Sequence, residues 1–373
     1  MTSRSSFARS SPSEPTTESD LLSLVERVFS TRLPRGWSVE AENQPEIETG
    51  HRPDLIINVS APDGTSTKLV VEAKRSLDAP RARAATDQLE RYLRVLRDRG
   101  ISACGAVVTP YTSAANRKRL TERGIGFVDA TGNVRLACDE PAFFIEGQGA
   151  DRDPWPSSSD LQSLKGKATG AAVRALLDFA PPYGIRELAD HAGVSAPTLS
   201  RVVELLDREG LVDRKPRGPV QSLDWEGTIR RWTLDYSVTE TNGVATYLDP
   251  RGFEDLAAKL RSTRSRYCLT GSMALPEGLS VAPARLAMIY TPDAAGLASS
   301  IDLRPTDTGV NVLMIEPFDD VVFARTTNRR GLVAVACSQL AADLLTGPGR
   351  APTEADELLV WMKDNEDGWR SRP

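Results

Sequence analysis

The stretch from residue 171 to residue 223 constrains the fold more than any other part of the chain, because its breakers and apolar spacings admit few arrangements. Residues 171–179 are an apolar helical segment that stops at Pro181-Pro182, since proline removes a helix donor and clashes with the preceding turn. Residues 185–192 form a second short helical pattern broken by Gly193, which enters the left-handed turn at a helix end without a Cβ penalty. Ser195 offers an oxygen to cap a third helix, with Pro197 in the first turn, where no N–H partner is lost. Along that helix Leu199, Val202, Val203 and Leu206 recur at i, i+3, i+4 and i+7 and so face a core, while Thr198, Arg201 and Arg208 lie on the opposite face. Gly210 ends it. Residues 211–212 and 220–223 read as strands joined by a tight basic turn, Asp213-Arg214-Lys215-Pro216-Arg217-Gly218.

At 373 residues the chain exceeds one ordinary core, and a norm of about 150 residues per domain predicts two or three. Its 40% hydrophobic and 26% charged residues are the balance of a soluble globular protein. No run approaches the ~18 apolar residues of a membrane span, so no membrane partner is expected. Residues 1–19 are Ser/Thr/Pro-rich without an apolar block and read as a disordered head. Cys104, Cys138, Cys268 and Cys337 are scattered, and His51 and His191 are the only histidines. That set supports neither a zinc site nor a disulfide framework and points to a cytoplasmic location. The net charge of -5 excludes wholesale coating of nucleic acid but leaves room for a local footprint. Residues 165–231 carry 11 Lys/Arg against 9 Asp/Glu, so this stretch is net positive within an acidic chain.

Helix, short helix, glycine turn, polar-faced helix and basic hairpin is the order of a winged helix-turn-helix, expected over residues 161–236. The wording GIRELADHAGVSAPTLSRVVELLDREGLVDR resembles that of bacterial transcriptional regulators of the MarR and related classes. The resemblance implies double-stranded DNA as partner. Ser195, Thr198, Arg201 and Arg208 would face the major groove, and Arg214, Lys215 and Arg217 would track the backbone or minor groove. A trihelical domain used for protein contacts is the competing reading; three cations in one turn weigh against it.

Residues 20–146 alternate helical and strand patterns. Residues 21–29 are helical, with Leu22, Val25 and Phe29 on one side, and residues 54–59 and 68–73 are strand-like. A helix over 82–99 carries the stripe Ala85, Leu89, Leu93 and Leu96. A strand at 105–109, a basic helix at 113–123 and a hairpin over 126–137, turning at Thr131-Gly132-Asn133, complete the region. Asp54 starts one strand, and Glu72 and Lys74 close the next, two residues apart and therefore on one face. Asp54 and Glu72 are hard oxygen donors suited to Mg²⁺. Lys74 beside them can orient or help deprotonate a water, or stabilise charge on a phosphate.

Pro53-Asp54 followed by Glu72-Ala73-Lys74 resembles the motif of the PD-(D/E)xK nuclease superfamily, and Gln88 with Tyr92 matches the QxxxY spacing of its RecB-type members. The resemblance implies a nuclease-like α/β domain over residues 20–146, with a helix-strand-strand-helix-strand order through residue 109. Asp54, Glu72, Lys74, Gln88 and Tyr92 would be its catalytic set, Asp54 and Glu72 the metal ligands, and Glu26 an additional acid. Two other readings stand beside it. The acids can form a salt-bridge network with Lys74 or Arg75, or the fold can serve only to hold DNA or a partner.

Residues 147–160 read as a linker of Gly, Asp, Pro and Ser. In the last region, 244–373, the Thr270-Gly271-Ser272 turn after an apolar strand is similar to the start of a nucleotidyltransferase fold. The next strand, 281–290, has no acid, so nucleotidyl transfer is not expected. The 267–274 turn, Asn311 with Pro317 and Asp319, and Gln339, Asp343 and 347–350 resemble AbiEi-type antitoxins. In these a winged helix precedes a degenerate nucleotidyltransferase-like domain. Trp361 and residues 358–360 are expected in the core of the last helix.

The expected fold class is multidomain α/β and α+β: a PD-(D/E)xK-like domain, a winged helix-turn-helix, and a degenerate nucleotidyltransferase-like α/β domain. The function expected first is a sequence-specific DNA-binding regulator related to antitoxin repressors, dimeric and without cofactor. The alternative is a Mg²⁺-dependent DNA nuclease of a phage-defence or restriction system, targeted by the winged helix. A third is a protein-interaction role, in which DNA binding serves only to tether a partner, held through the C-terminal domain.

Overall fold

The computed structural model describes residues 13–47, 52–156, 161–214, 218–279 and 283–373. The chain divides into two compact units, residues 1–160 with 207–211, and residues 161–206 with 212–373. No helix among the described residues is long and apolar enough to cross a membrane.

The first unit is mixed α/β. Helix α1 (Glu18–Arg32) starts from a capping box in which Thr17 accepts from the Asp20 amide and Asp20 accepts in return. Then come β1 (Ser38–Asn43), β2 (Leu55–Ser60), β3 (Ser66–Ala73), α2 (Ala79–Asp98), β4 (Ala103–Thr109), α3 (Ala114–Glu122), β5 (Gly126–Asp129), β6 (Val134–Asp139) and β7 (Ala142–Gly147). The seven strands lie in one sheet in sequence order. β3–β4 and β4–β5 are parallel, each reached through a crossover helix, and the remaining pairs are antiparallel. Side chains alternate across a strand, so Leu55, Ile57, Val59, Leu69 and Val71 share a core with α1. Ile56, Val70 and Val107 pack with Leu89 and Leu96 of α2 and Leu120 of α3 on the other face. Covering both faces is why these strands read as unbroken apolar runs.

The sheet has two strands that the sequence reading lacked. β1 is almost wholly exposed, so it has no apolar alternation to announce it; it inserts a strand into the expected helix-strand-strand-helix-strand order. β7 continues the 126–137 hairpin on its far side. Of the expected head, residues 1–12 lie outside the described residues, and the capping box around Thr17 shows that its end is ordered. Of the expected linker, residues 157–160 lie outside, while Gly149 and Ala150 are fastened by Asn133 to the β5–β6 turn.

The second unit begins with α4 (Lys167–Asp178), α5 (Ile185–Ala192) and α6 (Ala196–Arg208), followed by the hairpin β8 (Val212–Arg214) and β9 (Val220–Leu223) and by α7 (Trp225–Trp232). Gly193 ends α5 at φ 62°, in the left-handed region. Leu199, Val202, Val203 and Leu206 are fully buried, as their spacing requires. Lys215, Pro216 and Arg217 of the basic turn lie outside the described residues.

Next are β10 (Gly243–Leu248), α8 (Phe253–Ser262), β11 (Cys268–Thr270), β12 (Ala287–Tyr290), α9 (Ala294–Ser300), β13 (Arg304–Pro305), β14 (Val312–Glu316), β15 (Thr327–Arg329) and β16 (Leu332–Ala334). The helices α10 (Cys337–Leu345), α11 (Ala351–Asp364) and α12 (Glu366–Trp369) close the chain. The sheet order is β13-β10-β14-β12-β11-β16-β15, with β12–β14 and β11–β16 parallel.

Buried polar contacts join the helices of this unit to one another and, through Asp343, to its sheet. Arg174 bonds Asp178 at 2.8 Å and Gln339 at 3.0 Å, and Ser338 donates to Asp178. Arg370 donates to the carbonyls of Leu177 (2.9 Å) and Phe179 (2.7 Å) at the end of α4, where no intrahelical donor remains. Asp343 accepts from Thr270, Tyr236, Gln339 and Tyr290. One expectation fails on α11: Leu358 and Leu359 are buried, but Val360 is 65% exposed, because three consecutive helical residues cannot all face one core.

Candidate functional site

The β2–β3 register builds the site. Leu55 pairs with Val71, so the next position outward sets Asp54 opposite Glu72 at the end of the strands. Both continue the face of Ile56 and Val70, which is the α2 side, and Lys74 follows two residues on. The result is a compact cluster. Lys74 Nζ lies 2.6 Å from Glu72 Oε2 and 4.0 Å from Asp54 Oδ2. The amide of Ala73 donates to Asp54 Oδ2 at 2.8 Å and fixes that carboxylate against the neighbouring strand. Gln88 reaches down from α2, its Nε2 donating to Glu72 Oε1 at 2.8 Å and to the Tyr92 hydroxyl at 2.9 Å.

Burial sorts these groups by depth. Glu72 and Tyr92 are buried, whereas the side chains of Asp54 and Lys74 are about a quarter exposed, so the cluster opens to solvent on their side. Burial pushes the Glu72 carboxyl above its ordinary 4.5; Lys74 pulls it back, and the charge of Asp54 pushes it up again. A buried carboxylate and a partly exposed one thus lie beside one lysine. Among the described residues no group of three or more His, Cys, Asp or Glu side chains converges, so any cation here meets two acids. Two acids are enough for Mg²⁺, which keeps several waters in its shell.

Asp54, Glu72, Lys74 and Gln88 meet, and Tyr92 touches Gln88 rather than Glu72. Glu26 is exposed on α1, and no hydrogen bond or ion pair among the described residues joins it to the cluster. The Ala73 amide was not anticipated. As a backbone group it leaves no mark in residue identity; only the strand register reveals it.

Of the expected DNA-facing residues, Ser195, Thr198, Arg201 and Arg208 lie on or next to α6. Ser195 Oγ accepts from the Thr198 amide at 3.3 Å and shares a hydrogen with the Thr198 hydroxyl at 2.8 Å, so it caps the helix. Arg201 and Arg208 are exposed, with Glu204, bonded to Ser200, between them on the same side. Arg214 is half-buried in β8; Lys215 and Arg217 lie outside the described residues.

No family model and no curated protein matches the chain, so the resemblances to PD-(D/E)xK nucleases, MarR-class regulators and AbiEi-type antitoxins rest on the residues quoted for them. Two solved structures are similar in part. A repair endonuclease from Pyrococcus abyssi is 22% identical over 32% of this chain and 49% of its own, with a TM-score of 0.23. EndoMS in apo form is 18% identical over 31% of this chain and 47% of its own, with a TM-score of 0.21. The match spans about half the length of each. Likeness at that level carries no functional argument; the chemistry rests on the cluster itself.

Proposed function

We propose that the chain is a divalent-metal-dependent DNA nuclease whose first unit cuts and whose second unit holds the duplex. The observation that carries this reading is the meeting of Asp54, Glu72 and Lys74 at an open sheet end, with Gln88 reaching Glu72 from α2. Asp54 and Glu72 are the residues that would hold Mg²⁺ or Mn²⁺, and their mutual repulsion is what such a cation relieves. When bound, the cation supplies Lewis-acid polarisation of the phosphate and a lowered pKa for a coordinated water.

The chain's own groups do the rest. Lys74 is placed to orient a water and to stabilise charge gathering on the scissile phosphate. Gln88 fixes the Glu72 rotamer, and Tyr92 fixes Gln88. On the second unit, α6 is the recognition helix of a winged helix-turn-helix, with Arg201 toward base edges and the basic turn toward phosphates. Tethering a cutter to a binder raises the local concentration of substrate without new contacts.

One observation favours a second reading, a DNA-binding regulator with an inert acidic pair. Lys74 and Glu72 already neutralise one another at 2.6 Å. The deciding experiment incubates the purified chain with a mixed DNA substrate and Mg²⁺ or Mn²⁺, beside Glu72→Ala and Lys74→Ala. Cleavage lost in both variants supports the nuclease. Stable shifted complexes without cleavage by the unmodified chain would overturn it and leave the regulator.

A further inference from the structure

A second site lies within the second unit, where no expectation placed one. A cavity of about 430 Å³ opens between the start of α4, the end of α7 and the loop after β14, within the roughly 300–1,000 Å³ range of small-molecule sites. Its walls combine rings and cations. Trp232 and Tyr236 stack with ring centroids 4.7 Å apart. Lys167 extends from the first turn of α4 until its Nζ stands 5.5 Å from the Phe318 ring on the opposite wall. Lys165 lines the same space.

Three features mark this as more than a crease. Only six large apolar side chains are exposed among the described residues, and two of them, Leu234 (43%) and Phe318 (41%), line this cavity. The charges are uneven. Asp235 is committed to Arg231 and the Leu164 amide, and Asp319 to the Val321 amide, leaving exposed Glu240 as the remaining acid. Neither Lys165 nor Lys167 forms an ion pair among the described residues. Finally, Gly166, Lys167 and Gly170 at the start of α4 line the cavity, and Gly166 caps the helix with no side-chain hydrogen bond.

We propose that this cavity binds a small aromatic anion, of the class of a nucleoside 5′-monophosphate. The phosphate would sit between Lys165 and Lys167 at the start of α4, and the ring would cover Leu234 and Phe318. This assignment is independent of the acidic cluster in the first unit.

The test titrates adenosine and uridine 5′-monophosphates, their parent nucleosides and inorganic phosphate into the full chain, reading heat and tryptophan fluorescence. Saturable nucleotide binding is expected, about tenfold weaker in Lys167→Glu and in Phe318→Ala. Lys363→Glu, the same charge change outside the cavity, leaves binding unaltered. Absence of saturation with either nucleotide up to about 5 mM would overturn the proposal. So would equal affinity for inorganic phosphate, which would reveal an unspecific anion site. If Lys167→Glu fails to fold, Phe318→Ala decides: undiminished binding there refutes the ring contact.

Discussion

Glu72 in the first unit and Asp343 in the second are both buried acids, and their surroundings differ in kind. Glu72 has a cation, Lys74, a second acid, Asp54, and one neutral donor, Gln88, at a rim open to solvent. Asp343 has four neutral donors, Thr270 and Tyr236 at 2.6 Å, Gln339 at 2.8 Å and Tyr290 at 3.1 Å, and no ion pair among the described residues. A buried carboxylate is tolerated only when its lost hydration is replaced. Replacement by a flexible lysine beside a like charge leaves partners that can be exchanged. Replacement by four packed donors makes a joint. The first arrangement suits chemistry and the second suits architecture.

The sharpest way to break this contrast is Asp343→Ala, which removes the shared acceptor of four donors and leaves Thr270 without it, while Tyr236, Tyr290 and Gln339 keep bonds among themselves. It should cost the second unit about 2–3 kcal/mol in urea unfolding, and a loss below about 1 kcal/mol would mean the joint is not one. Lys74→Ala comes next. Cleavage should fall at least ~100-fold, while unfolding changes by less than about 2 kcal/mol, because Glu72 can take up a proton in place of the lysine. Unfolding as severe as that of Asp343→Ala would erase the distinction. Arg201→Ala should weaken DNA binding by about 1–3 kcal/mol with selectivity relaxed; unchanged gel-shift affinity would remove Arg201 from the interface.

The smallest effect is on pH. Burial holds Asp343 above its ordinary 3.8 despite its four donors, so the folded chain keeps this proton more tightly than the unfolded chain. Its contribution to stability is therefore full below pH 3.8 and is lost as pH rises through the elevated folded value. The advantage of the unmodified chain over Asp343→Asn should shrink from acid to neutral pH; an advantage that grows would reverse the sign.

The contrast also explains what residue order reveals. Asp54, Glu72 and Lys74 were legible because they sit at strand ends whose apolar runs stop abruptly, and alternation puts 72 and 74 on one face. The buried face of α6 was legible from one local period. Asp343 stands out only through the AbiEi-type resemblance, since its donors lie 4 to 107 residues away and share no period. β1 was missed because five of its six residues are exposed. Helix α7 was missed although Trp225, Ile229 and Trp232 follow i, i+4, i+7 and Asp224 caps it; eight residues after a strand were too few to separate from a loop. The cavity of the second unit was invisible because its walls come from three distant segments.

The Arg370 contact has a consequence for the order in which the protein is made. The carbonyls that close α4 must wait for a guanidinium 193 residues downstream of Leu177. At about 5–20 residues per second that is a lag of roughly 10–40 s. The sheet of the first unit is contiguous and can form on the ribosome in the meantime. The second unit stays unfinished until its last residues emerge, and a message cut short within α11 would release a chain with one sound half and one that chaperones must hold.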